Sequence, residues 1–71
     1  MKRYTQKELR KLVNSGAAVD LTKSHDRKEI GEPYDQIGYS YGIYGCNGKL
    51  FKGESGKLYA ITTATSALYI F

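Results

Sequence analysis

Apolar residues recur along this chain with two different periods. Leu9, Leu12 and Val13 fall at i, i+3 and i+4, the spacing of one helical stripe. Lys7, Arg10, Lys11 and Asn14 fall on the opposite side at about 100° per residue. Local chemistry specifies where this helix starts. Thr5 is a good N-cap, and Glu8 three residues later completes a T-x-x-E capping box. Tyr4, before the cap, and Leu9 stand at the spacing of a hydrophobic staple. Asn14-Ser15-Gly16 supplies the stop, with Gly16 able to take the left-handed conformation that ends helices. The pattern predicts a helix over about 5–15.

Beyond the helix, Ala17 to Thr22 is short and apolar at Val19 and Leu21, which suits a brief strand or an extended connection. Residues 23–36 are polar, hold the only proline (Pro33) and show no period, so a surface loop is expected, with room for one helical turn near Asp26–Ile30. From Ile37 the period becomes two. Ile37, Tyr39, Tyr41 and Ile43 alternate with Gly38, Ser40, Gly42 and Tyr44, the pattern of a strand over 37–45. The glycines leave space on one face for a close neighbour. Asn47-Gly48 is a strong hairpin signal. Further strands are expected over 49–53, 57–63 and 67–71, separated by turns at Gly53-Glu54-Ser55-Gly56 and Ala64-Thr65-Ser66. The apolar end Leu68-Tyr69-Ile70-Phe71 is expected to be paired in the sheet or to sit in an interface.

Consecutive strands with tight connections imply a meander. The expected fold class is therefore α+β: one N-terminal helix packed on a three- to five-stranded antiparallel meander sheet. With 71 residues the chain forms at most one domain with a thin core. The single cysteine, Cys46, offers no disulfide framework and suits a reducing compartment. Met1, Lys2 and Arg3 lead into a polar helical pattern rather than the apolar segment of a signal peptide. No apolar run reaches membrane-spanning length. A cytoplasmic location and no membrane partner are expected.

The net charge is +4, unevenly spread. Residues 1–28 hold eight basic side chains (Lys2, Arg3, Lys7, Arg10, Lys11, Lys23, Arg27, Lys28) against three acids (Glu8, Asp20, Asp26), a net +5. The remainder is close to neutral. The positive field of the N-terminal third permits a polyanionic partner.

Candidate chemistry is sparse. Gly53-Glu54-Ser55-Gly56-Lys57 superficially resembles a phosphate-binding loop, but Phe51 stands where the first glycine is needed and Leu58 where Ser or Thr would hold magnesium. A hairpin turn explains the same residues. His25 and Cys46 are each the only residue of their kind, His25 in a polar loop and Cys46 beside a turn, which argues against a nucleophile–base pair. Glu29, Glu32 and Asp35 lack the glycine-defined spacing of a calcium loop. No enzymatic activity, cofactor or metal is expected.

The seven tyrosines carry more information. Tyrosine joins an apolar ring to a polar tip and serves thin cores and interfaces alike. Tyr39 and Tyr41 share their strand face with Ile37 and Ile43, so they are expected in the core. Tyr44, on the glycine-bearing face, is expected at the surface, with Tyr59 and Tyr69 on neighbouring strands as further contact residues. Exposed aromatics on a sheet can also stack unpaired bases. In length, composition and compact meander the chain resembles small proteins of phages and mobile elements, a likeness resting on no motif. Some of those inhibit host nucleases by mimicking DNA, but mimics are acidic and this chain is basic. The expected function is a non-enzymatic binding or accessory domain that engages a protein partner, or itself, through Tyr44, Tyr59 and Tyr69. The alternative is a nucleic-acid-binding module using Lys2, Arg3, Lys7, Arg10 and Lys11.

Overall fold

A computed structural model of the chain describes residues 1–22, 31–42 and 45–62. In chain order they form β1 (Lys2–Arg3), α1 (Gln6–Asn14), β2 (Ala18–Asp20), β3 (Tyr34–Gly42), β4 (Gly45–Gly53) and β5 (Leu58–Ile61). The sheet is five-stranded with the order β1-β3-β4-β5-β2. The expected α+β class holds, with one described helix packed on the sheet. The sheet, however, is mixed rather than an antiparallel meander. Only β3, β4 and β5 run as a meander. β1 pairs parallel to β3, and β2 pairs parallel to β5. The segment before β3 thus supplies both edges of the sheet, and α1 crosses one face between them. The brief strand expected within 17–22 forms as β2, but the two-residue, exposed β1 leaves no period-two signal, and neither short segment announces its parallel pairing.

The helix begins as its sequence dictates. The Thr5 hydroxyl accepts a hydrogen bond from Glu8 N at 3.0 Å, and Glu8 Oε1 accepts one from Thr5 N at 3.2 Å, so two otherwise orphaned donors are satisfied reciprocally. Tyr4 packs against the cluster that contains Leu9, completing the staple. At the other end Gly16 adopts φ 81°, and its N–H bonds Val13 O at 3.1 Å. Leu9 is fully buried and packs with Ala18, Leu50 and Ala60, flanked by Leu12, Val13, Ile37 and Leu58.

Small residues let the helix side approach the sheet. A Cβ on Gly48 would lie 2.2 Å from Ser40 Oγ and 2.6 Å from Leu9 Cδ1, and one on Gly38 would lie 2.3 Å from the Tyr4 ring. Asn47-Gly48 accordingly does not form the expected turn. Both residues lie inside β4, with Gly48 opposite Ser40. The strands instead close on the Gly42–Gly45 pair, and Gly45 takes φ 101°. Between the pairs Ser40–Gly48 and Tyr41–Cys46, Asn47 is the extra residue of a bulge.

A second bulge decides which tyrosines are buried. The β3–β4 pairing steps from Gln36–Phe51 to Gly38–Leu50, leaving Ile37 as the extra residue. Ile37 packs in the helix-side cluster, whereas Tyr39 and Tyr41 flank Ser40, whose hydroxyl meets Gln6 of the helix. The two tyrosines therefore point away from the helix. Their expected place in the core beside Ile37 is overturned: Tyr39 is half-buried and Tyr41 is 52% exposed.

The expected loop over 23–36 ends early, because β3 starts at Tyr34, a buried residue. The turn at 53–56 forms as expected, with Gly53 N bonding Lys57 O at 2.8 Å and Gly56 at φ 89°. The helical turn expected near 26–30, the turn at 64–66 and the strand at 67–71 lie outside the described residues. Among the described residues no helix is long and apolar enough to cross a membrane.

Candidate binding face

The sheet face away from α1 divides into two halves. One half is a closed apolar cluster of Leu21, Tyr34, Phe51, Tyr59 and Ile61. Tyr34 and Tyr59 meet edge to face, with ring centroids 4.6 Å apart, a favoured aromatic geometry. Tyr59, expected as a surface contact, is 4% exposed. Its hydroxyl donates to Glu32 Oε2. The other carboxylate oxygen of Glu32 accepts from Ser55 Oγ at 2.6 Å and Ser55 N at 3.2 Å. Glu32 thereby fastens the start of β3 to the β4–β5 turn. Tyr59 is spent on the core rather than offered to a partner.

This clasp makes stability depend on pH in two directions. The Ser55 and Tyr59 hydroxyls hold the Glu32 carboxyl below its ordinary value of 4.5. A depressed carboxylate contributes stability above its unfolded pKa and loses it as pH falls through the folded one. The Glu32 carboxylate, with burial, holds the Tyr59 phenol above its ordinary value of 10.0. That contribution is whole below pH 10 and declines as pH rises beyond it. Urea unfolding followed against pH is expected to show both limbs in the wild type. Glu32→Gln should flatten the acid limb below pH 4.5; an unchanged acid limb would show that the clasp does not hold in solution.

The other half of the face is open, aromatic and cationic. Arg3 pairs with Tyr39 across β1–β3, and Tyr39 pairs with Lys49 across β3–β4, so these three side chains form one cross-strand row. Tyr41 follows two residues along β3. Its ring meets that of Tyr39 edge to face at 5.1 Å, and the Arg3 guanidinium lies 4.8 Å from its centroid, within cation–π range. Hydrogen bonding to Tyr41 raises the Tyr39 phenol above its usual value, with Arg3 pulling the other way. Cys46, opposite Tyr41, is exposed, and its thiol bonds Gly48 O at 3.3 Å.

The structure separates the cations that the sequence places together. Lys7, Arg10 and Lys11 line one open groove along α1 with Gln6 and Asn14. Lys2 and Arg3 belong to β1 and point to opposite faces: the Lys2 ammonium lies 4.9 Å from the Tyr4 ring on the helix side, whereas Arg3 joins Tyr41. Tyr44 and Tyr69 lie outside the described residues, as does His25. Sequence reasoning missed Lys49 as well as the exposure of Tyr39 and Tyr41. The Lys49 signal was its register opposite Tyr39, which depends on the bulge at Asn47 that no local pattern announces. Among the described residues no group of three or more His, Cys, Asp or Glu side chains is placed to hold a metal.

No protein-family model matches this chain, and no curated protein or solved structure does so. The reading of its function therefore rests on the face just described.

Proposed function

We propose that this chain is a small non-enzymatic binding domain that engages a macromolecular partner through the tyrosine-bearing face of its sheet, within the cytoplasm. One observation carries the reading. Tyr41 exposes half its surface while Tyr39 and Arg3 hold its ring in place. A large aromatic that is both exposed and pre-positioned loses little freedom on contact, and such residues anchor interfaces. Two polar side chains elsewhere, Ser40 and Glu32, are engaged inside the fold. Ser40 receives Gln6 Nε2 at 2.8 Å, and Glu32 is engaged with Ser55 and Tyr59. This supports a role in binding over one in catalysis. The second reading, a polyanion held on α1, is supported by the groove that gathers Lys7, Arg10 and Lys11.

The two readings separate in a residue-resolved titration. Isotopically labelled protein mixed with extract of its source cells is expected to show amide shifts at Arg3, Tyr39, Tyr41 and Lys49. Tyr41→Ala should abolish them while leaving the thermal transition nearly unchanged, as for exposed positions generally. Shifts confined to Lys7, Arg10 and Lys11 would transfer the function to the helix. No shift on either surface would sink both readings.

A further inference from the structure

Resting on that reading, we infer that the partner of the tyrosine face is a single-stranded nucleic acid, with bases stacked on Tyr41 and Tyr39 and phosphates held by Arg3 and Lys49. Stacking on sheet-borne aromatics beside cations is how proteins bind unpaired strands without reading their sequence. The row Arg3–Tyr39–Lys49 places a cation on the strand at each side of an aromatic. Tyr41 adds a second, more exposed ring two residues along the same strand. A single strand presents bases and phosphates side by side, which matches that alternation.

The distribution of acids sharpens the choice. Among the described residues Glu8 lies on the helix, over the opposite face, with its carboxylate held on Thr5 N. Asp35 alternates with Tyr34 and Gln36 along β3 and also points to the helix side, opposite Lys52. Asp20 is on the far edge strand β2. Glu32 and Glu54 belong to the turn end of the sheet, where Glu32 bonds Ser55. The tyrosine end of the face thus carries cations with no described carboxylate among them. A polyanion meets no repulsion there from a described carboxylate.

A cavity continues the face round the edge of the sheet. Arg3, Tyr4, Thr5, Gln6 and Tyr41 line it, so it opens directly from the exposed ring of Tyr41 towards the start of α1. The Gln6 Oε1 atom is buried with no hydrogen-bond partner among the described residues. The path for a strand runs from Lys49 across Tyr39 and Tyr41 and past Arg3 into this corner. A duplex has no equivalent use for the face, because its bases are already stacked on one another.

The test is fluorescence anisotropy with labelled oligothymidine and oligouridine of about twelve nucleotides, a length within known site sizes, and a duplex of equal length, at about 50 mM salt. Single strands are expected to bind at least about tenfold more tightly than the duplex. Tyr41→Ala should weaken them by roughly 5–150-fold, the range of one lost base stack. Two phosphate contacts predict a shallow salt response, with a log–log slope of about −1.4. Lys7→Glu combined with Arg10→Glu should change affinity far less than Tyr41→Ala. Equal affinity for duplex and single strand, or loss on the helix reversal alone, would overturn the inference. So would an absence of binding at low salt. In that last case, amide shifts that persist at Tyr41 in nuclease-treated extract would preserve the broader binding reading with a protein as partner. Their loss as well would remove both.

Discussion

Leu9→Ala is expected to lower the unfolding free energy by about 3–4 kcal/mol, the usual cost of emptying a fully buried leucine site. Leu9 has no exposed surface and joins α1 to Ala18, Leu50 and Ala60 on three strands. Two of these three buried partners are alanines, which cannot swing inward to fill the void. Alanine is a better helix former than leucine, so the loss isolates packing from helix propensity. A chain of this length has roughly 4–10 kcal/mol of stability in total. The thermal midpoint should fall by about 15–25 °C. Lys7→Ala, on the exposed face of the same helix, serves as the control and should move stability by no more than about 0.5 kcal/mol. Equal losses for the two variants would mean that α1 is not docked as described.

Gly48→Ala is expected to cost about 2–3 kcal/mol by overpacking. The added methyl would fall 2.2 Å from Ser40 Oγ and 2.6 Å from Leu9 Cδ1, with Gln6 Nε2 at 3.1 Å. Ser40 and Leu9 are both fully buried, so neither can withdraw into solvent. The helix must lift or β4 must shift. Because Leu9 is one of the obstructing groups, shortening it should relieve part of the strain. Denaturant unfolding of the double variant Leu9→Ala/Gly48→Ala should therefore show a loss about 0.5–3 kcal/mol smaller than the sum of the two single losses. Strict additivity would place Gly48 away from the helix. A methyl at Gly48 tests the register as well, since only the bulge at Asn47 brings Gly48 opposite Ser40.

The helix was legible because each of its signals is local. Thr5, Glu8, Tyr4, Leu9 and Gly16 act over at most five residues, and all five take the positions their spacing dictates. The 53–56 turn was legible for the same reason. What failed depended on partners far along the chain. Lys2–Arg3 is a strand only because Gly38 and Tyr39 lie beside it. Asn47-Gly48 has the chemistry of a turn, but Gly48 is held in mid-strand by the need for an absent side chain beneath Leu9. The error with the tyrosines was one of phase. Strict alternation groups Ile37 with Tyr39 and Tyr41, and a single inserted residue separates them. The candidate site is therefore the part of the molecule that sequence reasoning placed in the core, while Tyr59, proposed for the surface, serves the core instead.

The order of strands in the sheet has a consequence for how the chain acquires its shape. The contacts that tie the first part of the chain to the rest span long separations: Gln6 to Ser40 across 34 positions and Thr22 to Thr62 across 40. The β3–β4 and β4–β5 pairings close far shorter loops. Loop-closure entropy favours the shorter closures first. On the ribosome, β1, α1 and β2 emerge ahead of every strand they pair with, and must wait for the middle of the sheet before they can dock. Assembly then runs from the centre outward, with the helix strapping both edges last. In stopped-flow kinetics Leu9→Ala should consequently accelerate unfolding and leave the folding rate almost untouched. The N-terminal segment would act as the latch that sets how long the native state lasts, rather than as the seed from which it grows.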